Sequence, residues 1–335
     1  MLTGALSYFF LPERFLYDAV TITQDLYNEK GWVGSYPVTM SFYAYSLLGR
    51  LHFSLVALIQ LPILLFIIYK IGIADSFSHP TLKNVVVYVS LFLLAFFISM
   101  PSKEFITFSF LSLIPFLFKR KKYNIKMTVF LSFLIFIFFG VWFRPYFVFI
   151  PILALVMHGL GFIKIKNKIA LNILGGLLVA VFLSLSYGVV HGQFLSESTR
   201  EELNLFRAQS EDANSMITSP VSTSSWYGEA VGIFYGFFTV NFPLNGLRHI
   251  FKPQIVAFIF WQLLLFGFLI YYFKNCLAHK EKYKYEIWIF YFVFSYFIIQ
   301  GIFEPDLGSA VRHKIGFFPL IYYALYYDYF RLKIQ

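Results

Sequence analysis

Charge is what this sequence has least of. Only 13% of its 335 residues are Asp, Glu, Lys or Arg, about half the share of an ordinary soluble domain. A water-soluble fold of this size needs far more charge to cover its surface. A soluble enzyme, a nucleic-acid binder and a disordered chain are thereby excluded. Cysteine is nearly missing. The lone Cys276 rules out an internal disulfide and any multi-cysteine metal site. No basic segment precedes the mildly apolar residues 1–11, so no cleavable leader is predicted. The chain has no GxxxxGK[ST], HExxH or GxSxG, and no two His or Cys residues stand at metal spacing. A chemistry without metal or cofactor is expected. Ionisable residues are also missing from the interiors of the apolar runs, which disfavours a channel or a proton-coupled transporter.

What is abundant is apolar: 59% hydrophobic and 22% aromatic, with 45 Phe. Nine runs approach the roughly 20 residues a membrane-spanning helix needs. They are 51–69, 84–100, 105–118, 127–143, 146–163, 169–190, 254–273, 286–303 and 315–330. The third is short enough to be a tilted or half-buried span. The sequence predicts an all-α polytopic integral membrane protein, a single transmembrane domain over 1–335 with about nine spans. The +10 net charge is mostly a topology signal. Segments 70–83, 119–126, 164–168, 274–285 and 331–335 hold sixteen of the 27 Lys and Arg residues. The alternate set, 1–50, 101–104, 144–145, 191–253 and 304–314, is three times longer and holds eleven, beside thirteen acidic residues. The basic set is expected inside, the N-terminus outside and the C-terminus in the cytoplasm. That places outside an amphipathic segment, 1–50, a large loop, 191–253, and a short charged loop, 304–314. Chemistry is then expected at the outer membrane–water boundary. No inward loop is large enough to hold ATP or a nucleotide sugar.

Four external segments carry candidate chemistry. Residues 8–27 read as one amphipathic helix, with Arg14, Asp18, Thr21 and Asp25 opposite Phe15, Ala19, Ile22 and Leu26. Asp18 then either faces solvent or points into an external cleft as a base or acceptor ligand. In Pro101-Ser102-Lys103-Glu104-Phe105, proline ends one helix and Ser102 can cap the next, with Glu104 in its first turn. Lys103 and Glu104 form either an interfacial ion pair or the lining of a cleft. Phe143-Arg144-Pro145-Tyr146 joins two runs almost without a loop. The planar arginine fork there suits phosphate oxygens, or it snorkels beside a belt tyrosine. Residues 304–314 crowd Glu304, Asp306, Arg312, His313 and Lys314 around Pro305 and Gly308. The basic three precede the last run, where a helix N-terminus would favour an anion, with acid–base groups beside them. The long loop adds Arg200 and Arg207 among acids, then Trp226-Tyr227-Gly228-Glu229, which suits sugar binding or a membrane aromatic belt.

With its Phe-rich multispan layout, a large external loop before the last spans, and arginines on external segments, the chain resembles bacterial Wzy-type O-antigen and capsule repeat-unit polymerases. The resemblance implies inverting glycosyl transfer from an undecaprenyl-pyrophosphate-linked oligosaccharide at the outer face of the inner membrane. It needs no metal or nucleotide. It implies that Arg144, Arg207 and Arg312, with Lys103 and Lys314, hold the pyrophosphate. The base would come from Glu304, Asp306, His313 or Asp18. Glu104, Tyr146, Trp226, Tyr227 and Glu229 would contact substrate. Membrane lipid and a chain-length regulator protein are the implied partners, with no nucleic acid. A second resemblance is to GT-C class transferases that use polyprenyl-phosphate sugars, carried by Asp18 and by Gly31 to Leu48 with Tyr36-Pro37. A flippase or exporter of the lipid-linked oligosaccharide is a third reading of the same layout.

Overall fold

The computed structural model describes residues 1–120, 124–207, 215–249 and 251–332. Among these the regular structure is helical, and the only pairing of extended backbone is an isolated bridge between Met216 and Asp306. The chain divides into two compact units, Met1–Val148 with Arg312–Gln335, and Phe149–Val311.

The first unit opens with α1 (Leu2–Phe10), α2 (Tyr17–Gln24) and α3 (Ser35–Tyr45). The single helix expected over 8–27 is broken instead. Pro12 cannot continue α1, and a 3-10 turn over Glu13–Phe15 intervenes before α2. Helix α4 (Phe53–Ile71) packs on α1, and α5 (Leu82–Phe97) also packs against α1. The run 105–118 is two helices, α6 (Lys103–Leu111) and α7 (Leu113–Arg120), broken at Ser112. Helix α8 (Ile125–Trp142) is followed by a 3-10 turn over Pro145–Val148 that folds back on it. Gly140 permits this close return, because a Cβ there would lie 2.8 Å from the backbone nitrogen of Val148.

The second unit contains α9 (Phe149–Leu160), α10 (Lys168–His191), α11 (Glu202–Arg207), α12 (Trp226–Asn241), α13 (Pro253–Ala278) and α14 (Glu286–Phe303). Helix α14 is its axis, buried from Glu286 through Ile302 and packed by α9, α10, α12 and α13. A helix buried all round must be apolar all round, which explains its sequence IWIFYFVFSYFIIQGIF. The stretch 191–253 is not a plain loop: its α12 forms one of the main contacts with α14. The last elements are α15 (Leu307–Gly316), α16 (Phe318–Leu325) and α17 (Tyr327–Leu332). The segment 304–314 is thus mostly helix. Arg312, His313 and Lys314 lie near the C-terminal end of α15, not at a helix N-terminus as expected.

Among the described residues five helices are long and apolar enough to cross a membrane: Phe53–Ile71, Ile125–Trp142, Lys168–His191, Ile255–Ala278 and Glu286–Phe303. Two shorter apolar segments, Leu82–Phe97 and Pro145–Leu160, accompany them. The chain is a helical protein built for a membrane.

Candidate functional site

The first unit gathers charged side chains from four separate segments. Glu104 stands at their centre. It lies in the first turn of α6, whose N-terminus is capped by the Ser102 hydroxyl accepting from the backbone N–H of Phe105 (3.2 Å). Tyr43 of α3 holds that cap in place, its hydroxyl accepting from the N–H of Ser102 (3.1 Å). Gln60 of α4 accepts from the same hydroxyl (2.5 Å) and donates to the carbonyls of Ser99 (3.0 Å) and Met100 (3.2 Å). All of these groups are buried. They fix the direction in which Lys103 and Glu104 leave the backbone.

Glu104 Oε1 accepts from Arg144 Nη2 at 2.7 Å, faces His313 Nε2 at 3.3 Å and lies 3.8 Å from Arg312 Nε. Asp18 takes the other side of Arg312, with Nη1 and Oδ2 2.5 Å apart. Its Oδ1 accepts from the Tyr36 hydroxyl (2.5 Å) and lies 3.4 Å from Lys103 Nζ. Lys103 also sits 3.8 Å from the centroid of the Tyr36 ring, within cation–π range. Both carboxylates lie in first turns of helices, α2 and α6, while Arg312 and His313 lie near the C-terminal end of α15. The two carboxylates thus match the partial charge of their helix ends, whereas Lys103, the first residue of α6, stands against it.

The protonation states follow from this packing. Burial pushes Glu104 upward, but the Arg312 and Arg144 guanidiniums, with the hydrogen bond from His313, outweigh it and hold the carboxyl well below its ordinary range. Burial likewise opposes ionisation of Asp18, and Arg312 and Lys103 overcome it, so its pKa is lowered. For Lys103 burial wins, and the neighbouring carboxylates only partly offset it, leaving a pKa of about 8. Arg312 moves upward: burial acts against its charge, while Glu104 and Asp18 more than compensate. Below a pH of about 8 three cations, Lys103, Arg144 and Arg312, face two carboxylates. One positive charge is in excess before His313 is counted. A small cavity of about 30 Å3 opens beside Asp18 and Arg312, walled by Leu11, Phe15, Phe96, Phe97 and Met100. It has room for about one water.

Of the residues singled out in the sequence, Asp18, Lys103, Glu104, Arg144, Arg312 and His313 come together here. Tyr36 is the member that the sequence offers only as part of the Tyr36-Pro37 pair, with no local signal that its hydroxyl meets a carboxylate. Tyr146 is half-buried and stacks on Phe147 instead (5.0 Å). Lys314 is buried. The remaining expected residues belong to the second unit. Glu229 was expected on a sugar-binding surface; it is fully buried, its Oε1 accepting from Ser184 Oγ (2.5 Å), Ser196 Oγ (2.8 Å) and the Ser196 N–H (3.1 Å). Asp306 was expected as an acid–base group; both its oxygens accept from Ser309, at 2.7 and 2.9 Å, so it caps α15. Glu304 is buried and accepts from Gln300 (3.0 Å). Trp226 and Tyr227 are exposed and pack edge to face, 5.7 Å apart. Arg207 ends α11, and its side chain lies outside the described residues, as do those of Arg14, Arg248 and His249.

The second unit also holds a buried cation among these segments. Arg200 is fully buried, and its Nη1 donates to the backbone carbonyls of Gly301 (2.8 Å) and Gly232 (3.2 Å). The signal for it is the spacing Gly228, Gly232, Gly236, a small-residue stripe on one helix face that lets another segment approach closely.

No protein-family model, no curated protein and no solved structure matches this chain.

Proposed function

We propose that this protein polymerises lipid-linked oligosaccharide repeat units by inverting glycosyl transfer at the outer face of a bacterial inner membrane. The observation that carries the reading is the convergence of Arg144 and Arg312 on Glu104, with Lys103 and His313 beside them. Two guanidiniums and an ammonium around two carboxylates make a site with surplus positive charge, suited to a diphosphate. In the reaction an acceptor hydroxyl oxygen attacks the anomeric carbon of the donor sugar. The bond from that carbon to the diphosphate oxygen breaks, and the electron pair leaves with the undecaprenyl diphosphate. Arg144 and Arg312 stabilise that growing charge. The hydroxyl proton passes to His313. Among the expected bases, Asp18 is committed to Arg312, Lys103 and Tyr36, and Asp306 to capping α15. Imidazole is also the usual base at neutral pH. The outward orientation rests on the Lys and Arg distribution, since Lys103, Arg144 and Arg312 belong to the alternate set of segments, which taken together carries the smaller share of basic residues.

A GT-C-like transferase is the second reading, favoured by the place of Asp18 within the ion cluster, shortly after α1. The donor separates the two: a diphosphate-linked oligosaccharide for the polymerase, a monophosphate-linked single sugar for the other. The decisive experiment is genetic. Deleting the gene should leave one repeat unit on the core lipid, whereas loss of a flippase leaves none. Complementation with Arg144→Ala or Arg312→Ala should fail to restore the polymer ladder on a gel. A full ladder with either variant would remove the leaving-group role.

A further inference from the structure

Two large aromatic side chains of the first unit stand out of the protein as a pair. Trp32 and Tyr45 are stacked, their ring centroids 5.1 Å apart and their planes 22° from parallel. Even so, 54% of Trp32 and 66% of Tyr45 remain exposed. The tryptophan is fixed in this position. The Asn28 amide, oriented so that both its ends are satisfied, accepts from Trp32 Nε1 (2.9 Å) and donates to the Gly31 carbonyl (2.9 Å). Ser41 Oγ donates to the same carbonyl at 2.9 Å. Asp25 clamps the loop from its start, its two oxygens accepting the backbone N–H groups of Glu29 (2.8 Å) and Lys30 (2.9 Å). Asn28, Gly31 and Gly34 all have positive φ, at 60°, 86° and 104°. Asparagine enters that region more readily than other residues with a Cβ.

The residue types on this loop are those a sugar site uses. The indole N–H is consumed within the loop, so the ring offers its face. Glu29 and Lys30 on the same loop are exposed. An aromatic face receives the C–H side of a pyranose, while a carboxylate and an ammonium receive its hydroxyls. The loop is also tied to the ion cluster. Its Gly34 N–H donates to the carbonyl of Trp142 (2.9 Å), two residues before Arg144. Tyr36, whose hydroxyl meets Asp18, lies in the first turn of α3, and Tyr45 ends the same helix. Nine helical steps place Tyr45 about 14 Å further along α3 and half a turn around it, so a glycan held at both ends passes around the helix.

We propose that Trp32 and Tyr45 form a glycan-binding platform that holds a pyranose ring of the oligosaccharide some way from its reacting end. The proposal rests on the polymerase reading for the identity of that glycan. It supplies what the ion cluster lacks, since a grip on the diphosphate alone cannot favour a substrate of several sugars over one.

The test uses the full-length protein in lipid nanodiscs. The probe is a set of oligosaccharide fragments released by mild acid from the producing strain's own surface polysaccharide, and binding is read by calorimetry. Wild type should bind saturably. Trp32→Ala and Tyr45→Ala should each bind about tenfold more weakly, and Trp32→Phe should stay near wild type. Arg312→Ala should keep its binding, because the fragment carries no diphosphate. Unchanged binding by both alanine variants overturns the platform. So does a Trp32→Ala protein that is poorly recovered in membranes yet binds normally per molecule, which would make the pair an anchor at the lipid interface. If wild type binds no fragment while Arg312→Ala abolishes the polymer, the platform fails and the polymerase reading stands. If fragments bind through Trp32 but Arg144→Ala and Arg312→Ala leave the polymer intact, the polymerase reading fails and the platform stands.

Discussion

Glu104 and Arg144, forty residues apart in the sequence, meet at 2.7 Å with both side chains withdrawn from solvent. A buried ion pair need not stabilise a fold relative to an apolar pair, but removing one partner strands the other charge. Glu104→Ala should therefore destabilise the protein by about 3 kcal/mol, read as a lowered unfolding temperature in detergent. Arg144→Ala should behave similarly. The double variant should be clearly less unstable than the two single losses added together, since neither charge is then stranded. Activity should respond differently. Arg144→Lys should abolish polymer nearly as fully as Arg144→Ala, because an ammonium cannot reproduce the planar fork. A polymer ladder surviving in the lysine variant would argue that only charge matters at this position.

Asp18 and Arg312 offer a separate test of what the cluster binds. The carboxylate occupies Arg312 Nη1 at 2.5 Å, and the adjoining cavity of about 30 Å3 is far too small for a diphosphate. An incoming anion must compete with Asp18 for the guanidinium. Asp18→Asn keeps the shape and removes the competing charge. It should bind inorganic pyrophosphate several-fold more tightly than wild type, while Arg312→Ala binds it more weakly, both measured by calorimetry. Weaker binding by Asp18→Asn would show that the carboxylate organises the site and does not compete with the ligand.

Lys103 gives the site a pH dependence. Its pKa in the folded protein is about 8, against roughly 10.4 for a free lysine. Below a pH of about 8 it is charged in the folded and unfolded chain alike. Between the two values the folded chain binds fewer protons than the unfolded one, so this lysine makes stability fall as pH drops from the upper value to the lower and rise as pH climbs back. Anion binding runs the other way, because the cluster loses one of its three cations as pH rises. Pyrophosphate affinity should fall as pH rises through about 8, and Lys103→Met should remove that step. Asp18 and Glu104, whose values are lowered, contribute stability that is complete above the ordinary carboxylate range. That contribution disappears as pH falls through their lowered values.

Much of this site is legible in the sequence, for a physical reason. In so apolar a chain each ionisable residue outside a topology segment is conspicuous, and Asp18, Lys103, Glu104, Arg144, Arg312 and His313 all stand out on that ground. Five of the apolar runs locate long helices in the same way, while 105–118 and 315–330 are each broken into shorter ones. What the sequence hides are pairings between distant segments. Nothing near Glu104 says that it receives both Arg144 and His313. Segment 304–314 has the composition of a loop, yet Asp306 caps it into α15, which reverses the helix end on which Arg312 lies. Helix α12 is obscured by three glycines, which lower helix propensity while making close packing possible.

Those glycines carry the last prediction. In α14 the carbonyl of Gly301 would ordinarily accept from the N–H four residues on, but that residue is Pro305, which has none. Arg200 supplies the missing donor, with Nη1 2.8 Å from Gly301 O, and reaches the carbonyl of Gly232 in α12 as well. The approach is possible only because α12 is bare on this side. A Cβ at Gly236 would overlap both the Gly301 carbonyl oxygen and Arg200 Nη1, and a Cβ at Gly301 would lie 2.5 Å from the backbone nitrogen of Phe237. Gly236→Ala should therefore separate α12 from α14 and lower the unfolding temperature sharply. Arg200→Met should destabilise by about 2 kcal/mol through the two carbonyls it leaves without a charged donor. A Cβ at Gly267, in α13, would meet nothing within 4 Å. Gly267→Ala is the control and should be neutral or slightly stabilising, since alanine is the better helix former. Equal unfolding temperatures for Gly236→Ala and Gly267→Ala would mean that the glycine stripe does not set the distance between α12 and α14.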